Sequence, residues 1–100
     1  MLQAQIFIDK EELIEGKPFH EFIMKFLNEH GVIGATTFTG HSGFGKNQKM
    51  KRPNDLFSFD EPPMLIVFID QDEKVKHVLK ALRHITPRGF ITVHSVEKWS

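Results

Sequence analysis

Residues 2–8 (LQAQIFI) alternate, placing Leu2, Ala4, Ile6 and Ile8 on one face, which is the period of a strand. The period then lengthens. In EGKPFHEFIMKFLNEHG, residues Phe19, Phe22, Ile23, Phe26 and Leu27 recur at i, i+3, i+4, i+7 and i+8, which predicts a helix with one buried stripe. Pro18 in the first turn and Gly31 just past the end supply the start and stop signals. Residues 32–39 (VIGATTFT) are rich in β-branched side chains and predict a second strand.

The pattern repeats in the second half. MLIVFID (64–70) is a short unbroken apolar run, suited to a central strand. Asp72 is placed to cap the helix EKVKHVLKALRHI, in which Val75, Val78, Leu79 and Leu82 restate the helical stripe. Pro87 and Gly89 end that helix, and FITVHSV (90–96) is the last strand. This order predicts an α+β fold over residues 1–100 as a single domain. It is a ferredoxin-like βαββαβ sandwich, a four-stranded antiparallel sheet with two helices on one face.

Helices cover only one face of such a sheet, yet the run 64–70 is apolar on both sides. Leu65, Val67 and Ile69 point one way; Met64, Ile66 and Phe68 point the other, and Phe7 and Phe38 are expected to join this second set. Each large apolar side chain left in water forfeits about 1.5–3 kcal/mol, and a contiguous exposed patch marks an interface. Other copies of the chain are therefore expected to cover the second sheet face. The alternative cover is the C-terminal VEKWS, which offers only Val96 and Trp99.

Composition narrows the function classes. With 40% hydrophobic and 26% charged residues the chain reads as an ordinary globular protein. No apolar run nears the roughly 18 residues of a membrane span, and MLQAQIFIDK lacks the features of a signal peptide, so a cytoplasmic protein without membrane insertion is expected. The absence of cysteine removes disulfides, thiolate metal sites and cysteine catalysis. Net charge is zero, so no global field draws in nucleic acid. Locally, KNQKMKR (46–52) holds four cations, while Asp9, Glu11, Glu12 and Glu15 crowd near the start. A basic loop of this kind is often plain solvated surface.

The stretch GHSGFGKN (40–47) comes within one residue of a Walker A phosphate loop. A Walker loop opens a helix, but KNQKMKRPNDLF has no apolar period and meets Pro53 within seven residues of Lys46; Asn47 also cannot supply the magnesium-binding hydroxyl. An RNA-recognition motif shares the βαββαβ order, yet its stacking aromatics belong on the third strand, after the long loop, whereas Phe44 precedes it. A third reading fits the residues better. Gly40, Gly43 and Gly45 at a strand end permit close backbone approach. Successive N–H groups there can cradle an anion, with Lys46 adding positive charge. The polar segment 46–62 is then a protruding loop between strands two and three, and long loops in compact domains tend to be functional.

Together, GVIGATTFTGHSGFGK, the loop and PPMLIVFIDQDEKVKHVLKALRHI resemble the PII signal-transduction superfamily. GKPFHEFIMKFLNEHGVIGATTFTGHSGFG is similar to its PII-like branch, the domain of unknown function 190 family. The resemblance runs from the first strand to Val96. It implies a homotrimer with inward-facing sheets and a non-enzymatic regulator with no catalytic residues. It also implies ATP, ADP or another small anionic effector in inter-subunit clefts, and a long loop that contacts a transporter, enzyme or regulator. Carried over residue by residue, it assigns ligand binding to Gly43, Phe44, Gly45 and Lys46 at the loop base. Asn47 stands where PII has a responsive Gln. The short turn TPRG stands where PII has a longer phosphate-binding turn, leaving Arg88 and Gly89, with Thr86, to contribute from that side. The loop holds no tyrosine, so uridylylation of the PII kind is excluded.

Six histidines raise a metal reading of the type linked to CutA, a trimeric PII relative. His77 and His84 lie seven apart on one helix, about 10.5 Å along the axis, too far to share an ion. His41 beside the glycine turn is the best single candidate, and His94 could reach a neighbour across the sheet. No H-x₃-H spacing is present and no metal site is assigned. Asp70, Asp72 and Glu73 at a helix start are read as capping residues. A CutA-like metal-tolerance trimer and an RNA-binding module remain as alternatives to the regulator.

Overall fold

In the computed structural model, which describes residues 1–44 and 62–100, the first alternating run is strand β1 (Leu2–Asp9), with Ala4, Ile6 and Ile8 buried. A small hairpin follows, β2 (Leu13–Ile14) and β3 (Lys17–Pro18), turned by positive φ at Glu15 and Gly16. Two such residues in succession suit the right-handed twist of a two-residue hairpin. The Phe19 N–H donates to Glu12 O at 2.8 Å and pins the hairpin to the start of helix α1 (Phe19–Glu29). Strand β4 (Ala35–Thr39), strand β5 (Pro63–Asp70), helix α2 (Asp72–Ile85) and strand β6 (Phe90–Ser95) complete the described elements.

The sheet order is β4-β5-β1-β6, and every neighbouring pair is antiparallel. The predicted α+β sandwich is therefore the observed one, with the hairpin 13–18 as an addition. Both helices lie over one face. Phe19, Ile23, Phe26 and Leu27 of α1 and Val75, Val78 and Leu82 of α2 are buried against the inward residues of β1 and β5, the latter being Met64, Ile66 and Phe68. At about 1.5–3 kcal/mol for each large apolar side chain, this layer is the main source of the fold's stability.

Three expectations need correction. Phe7 and Phe38 do not share a face with Met64, Ile66 and Phe68. Each stands opposite Leu65 in the strand register, and directly paired residues share a face, so both belong to the open face with Leu65, Val67 and Ile69. Phe90, paired with Phe7, joins them with ring centroids 6.0 Å apart. Second, the strand predicted over 32–39 begins only at Ala35. Third, Asp72 is the first residue of α2 rather than its cap, and Gln71 caps without a side-chain bond. The Asp72 carboxylate instead meets the N-terminal ammonium of Met1 at 3.1 Å. Its neighbour Asp70 is buried and accepts from the backbone N–H of Gln71 (2.7 Å) and of Ile33 (3.1 Å), tying the segment after α1 to the β5–α2 junction.

The open face is apolar at one end and polar at the other. Gln3, Gln5, Thr92 and His94 share it by register, and the Thr92 hydroxyl donates to Gln5 Oε1 at 3.1 Å. Trp99 is 96% exposed, so the C-terminal segment does not lay this side chain on the sheet.

Candidate functional site

One end of the sheet gathers the last residues of β1 and β4 and the first of β5 and β6, because antiparallel neighbours begin where their partners stop. A cavity of about 630 Å³ opens there. Its walls are mainly apolar, formed by Phe7, Phe38, Phe44, Leu65 and Phe90. Asp9 and Glu12 supply the charge among the described lining residues, and no Lys or Arg joins them.

Two turns from distant parts of the chain border this cavity. The first leaves β4 at Gly40, whose N–H donates to Pro63 O at 2.6 Å. A Cβ on residue 40 would sit 2.7 Å from Pro63 Cγ and 3.2 Å from Pro63 O, so the two backbones can pass this closely only without a side chain. The turn then brings Ser42, Gly43 and Phe44 to the cavity, and Phe44 is exposed. The second turn is Thr86–Gly89, between α2 and β6. Gly89 has φ +85 and packs against the Ile6 and Ile8 side chains, where an added Cβ would stand 3.4 and 3.3 Å from their Cγ2 atoms.

Of the six sequence-predicted site residues, the structure thus brings Gly43, Phe44 and Gly89 to one cavity. Arg88 is adjacent in sequence but does not line it. Its guanidinium donates to the Leu13 carbonyl in the hairpin, and its N–H donates to Thr86 Oγ1 at 3.1 Å. Gly45 and Lys46, and with them nearly all of the 46–62 loop, lie outside the described residues. Sequence reasoning missed Asp9, Glu12, Phe7 and Phe90 as lining residues. For Phe7 and Phe90 the signal was the alternation of β1 and β6, which sets them on the open face. For the two acids nothing local distinguishes them from their acidic neighbours.

Among the described residues no group of three or more His, Cys, Asp or Glu could hold a metal ion. His41, His77, His84 and His94 are exposed. Likewise, no helix among the described residues is long and apolar enough to cross a membrane.

Known proteins resemble this chain in sequence or in fold. A UPF0166 protein of Aquifex aeolicus is 33% identical over 94 residues, covering 93% of this chain and 88% of its own. UPF0166 protein MJ1524 of Methanocaldococcus jannaschii is 28% identical over 82 residues, covering 81% and 74% respectively. Among solved structures, CPII of Thiomonas intermedia K12, a nitrogen regulatory PII-like protein bound to ADP, AMP and bicarbonate, superposes with a TM-score of 0.67 at 22% identity. That match covers 93% of this chain and 82% of CPII, so the two share the fold. The DUF190 family model, described as an uncharacterized ACR, matches residues 1–98, and the chain belongs to that family.

Proposed function

We propose that the protein is a non-enzymatic PII-like regulator that takes a small anionic effector, with an adenine nucleotide as first candidate, into the cavity at the sheet end. The observation that carries this proposal is that Gly43, Phe44 and Gly89 line one mainly apolar cavity. This slot occurs on a fold shared with CPII, which is bound to ADP, AMP and bicarbonate. Aromatic walls suit the flat face of a base, and the Asp9 and Glu12 carboxylates suit donors such as ribose hydroxyls or an exocyclic amine. Positive charge for the anionic end falls to Lys46 beside the glycine turn, and to Arg88 next to Gly89 once its guanidinium leaves the Leu13 carbonyl. The 46–62 loop is the contact for a partner protein, a transporter, enzyme or regulator in the cytoplasm.

Assembly as a homotrimer belongs to the same proposal, and the apolar open face supports self-association. Phe7, Phe38, Ile69 and Phe90 are 43, 53, 37 and 68% exposed. Covering what remains of them is worth about 3–6 kcal/mol per chain, a large share of the roughly 5–15 kcal/mol by which a domain is stable. Phe7, Phe38, Leu65 and Phe90 line both that face and the cavity, so a second copy on the face would wall the ligand site.

Isothermal titration with ADP, AMP and cyclic dinucleotides tests the proposal. At least one adenine nucleotide is expected to bind, and Lys46→Ala to weaken it about tenfold, in line with loss of one charge-assisted contact. Silence across the panel together with an inert Lys46→Ala would reject it.

A further inference from the structure

The last carbonyls of a helix lack intrahelical partners, and a cation in the last turn is placed to meet them. Arg83, in the last turn of α2, reaches further than that. Its Nη1 donates to Arg88 O at 2.6 Å and to Thr86 O at 3.4 Å, and its Nη2 donates to Gly89 O at 2.8 Å. One planar guanidinium thus spans three carbonyls of the turn that leads from α2 into β6. Arg88 N–H to Thr86 Oγ1 closes the same turn from within, and the Arg88 side chain ties it to the hairpin at Leu13. Arg83 itself is exposed and does not line the cavity, so it has no direct route to a ligand there.

The orientation of these carbonyls sets the orientation of the amides. No cis peptide occurs among the described residues. In a trans peptide the C=O and the next N–H point in opposite directions. With the Arg88 carbonyl held by Arg83, the Gly89 N–H is turned away from the guanidinium. Gly89 is also the turn residue that borders the cavity.

We infer that Arg83 is the positioning residue of the site: it clamps the Thr86–Gly89 turn so that the Gly89 amide is presented to an anionic oxygen of the ligand. This inference rests on the ligand-binding role proposed above and adds a residue that touches no ligand. A lysine keeps the charge of Arg83 but cannot fork across separate carbonyls. Charge and positioning are therefore separable.

The experiment compares the wild-type chain with Arg83→Lys, Arg83→Gln and, as a control, Lys80→Gln, an exposed cation on the same helix. Three quantities are read: the Gly89 amide resonance without ligand, the affinity for ADP and AMP, and the thermal midpoint. Both Arg83 variants are expected to move the Gly89 resonance and to weaken nucleotide binding about tenfold, with midpoints close to wild type. Lys80→Gln is expected to leave resonance and affinity as they are. A Gly89 resonance unmoved in both Arg83 variants would overturn the clamp, and full affinity in Arg83→Lys would show that charge alone suffices. Absence of ADP and AMP binding in the wild-type chain would instead overturn the ligand half of the inference. The apo resonance would still report whether the clamp exists. Should Arg83→Gln fail to fold, Arg83→Lys carries the same tests.

Discussion

Gly89→Ala is the most direct probe of how the fold builds its cavity. Gly89 holds φ +85, a backbone region that costs an L-residue about 1–2 kcal/mol. The new methyl would also stand 3.3 Å from Ile8 Cγ2 and 3.4 Å from Ile6 Cγ2. Ile6 is fully buried, so the contact with it adds about another 1 kcal/mol of overpacking, while Ile8 borders the cavity and can give way. A total of about 2–3 kcal/mol corresponds to a fall in midpoint of about 10–20 °C for a domain of this size. The matched control is Gly34→Ala, where φ is not left-handed and nothing lies within 4 Å of an added Cβ. There the change should be neutral, or stabilising by up to about 1 kcal/mol through the unfolded chain. Thermal unfolding followed by circular dichroism, at one protein concentration for all variants, gives both numbers. The reasoning fails if Gly89→Ala melts within a few degrees of wild type, or if Gly34→Ala is equally damaging.

Asp70→Ala should cost about 2–4 kcal/mol in urea unfolding, because it strips the acceptors from the Gln71 and Ile33 amides at once. Asp70→Asn, which keeps one acceptor, should lose less, and equal losses would mean the carboxylate's bonds are not what matters. Val67→Lys places an ammonium at the middle of the open face, opposite Gln5 and Thr36. Burying that charge between copies is costly, whereas in a single chain it stays in water. Sedimentation should therefore report single chains with unchanged secondary structure, and an unaltered assembly mass would show that the face is not the contact.

Elements were legible where one period dominated. The alternation of Leu2, Ala4, Ile6 and Ile8 and the stripes through Phe19–Leu27 and Val75–Leu82 each had a single interpretation, and all became the elements expected. The face of Phe38 was not legible from its own strand, since 64–70 is apolar on both sides and only register with Leu65 decides it. Phe7 could have been placed correctly: with Ile6 and Ile8 inward, it must point outward. The hairpin 13–18 left one trace, the Glu15–Gly16 pair that its turn uses. At the site, the two glycine turns were visible separately, but their convergence was not. Gly43 and Gly89 border one cavity because β4 ends and β6 begins at the same end of the sheet, although the two strands lie at its opposite edges, a consequence of strand order that no local pattern encodes.

The side chains that make the open face costly are largely those that make the cavity apolar. Phe7, Phe38 and Phe90 project from β1, β4 and β6 onto one surface, and Leu65 completes it from β5. Whatever covers that surface also closes one wall of the slot beside Gly43 and Gly89. A ligand held in the slot would then contact the cover as well as the chain, and binding to the assembled form alone must favour assembly by mass action. Such coupling is reciprocal, so assembly raises ligand affinity by the same factor. Two glycine turns border that slot, one set by close passage past Pro63 and the other by a left-handed residue whose carbonyl accepts from Arg83.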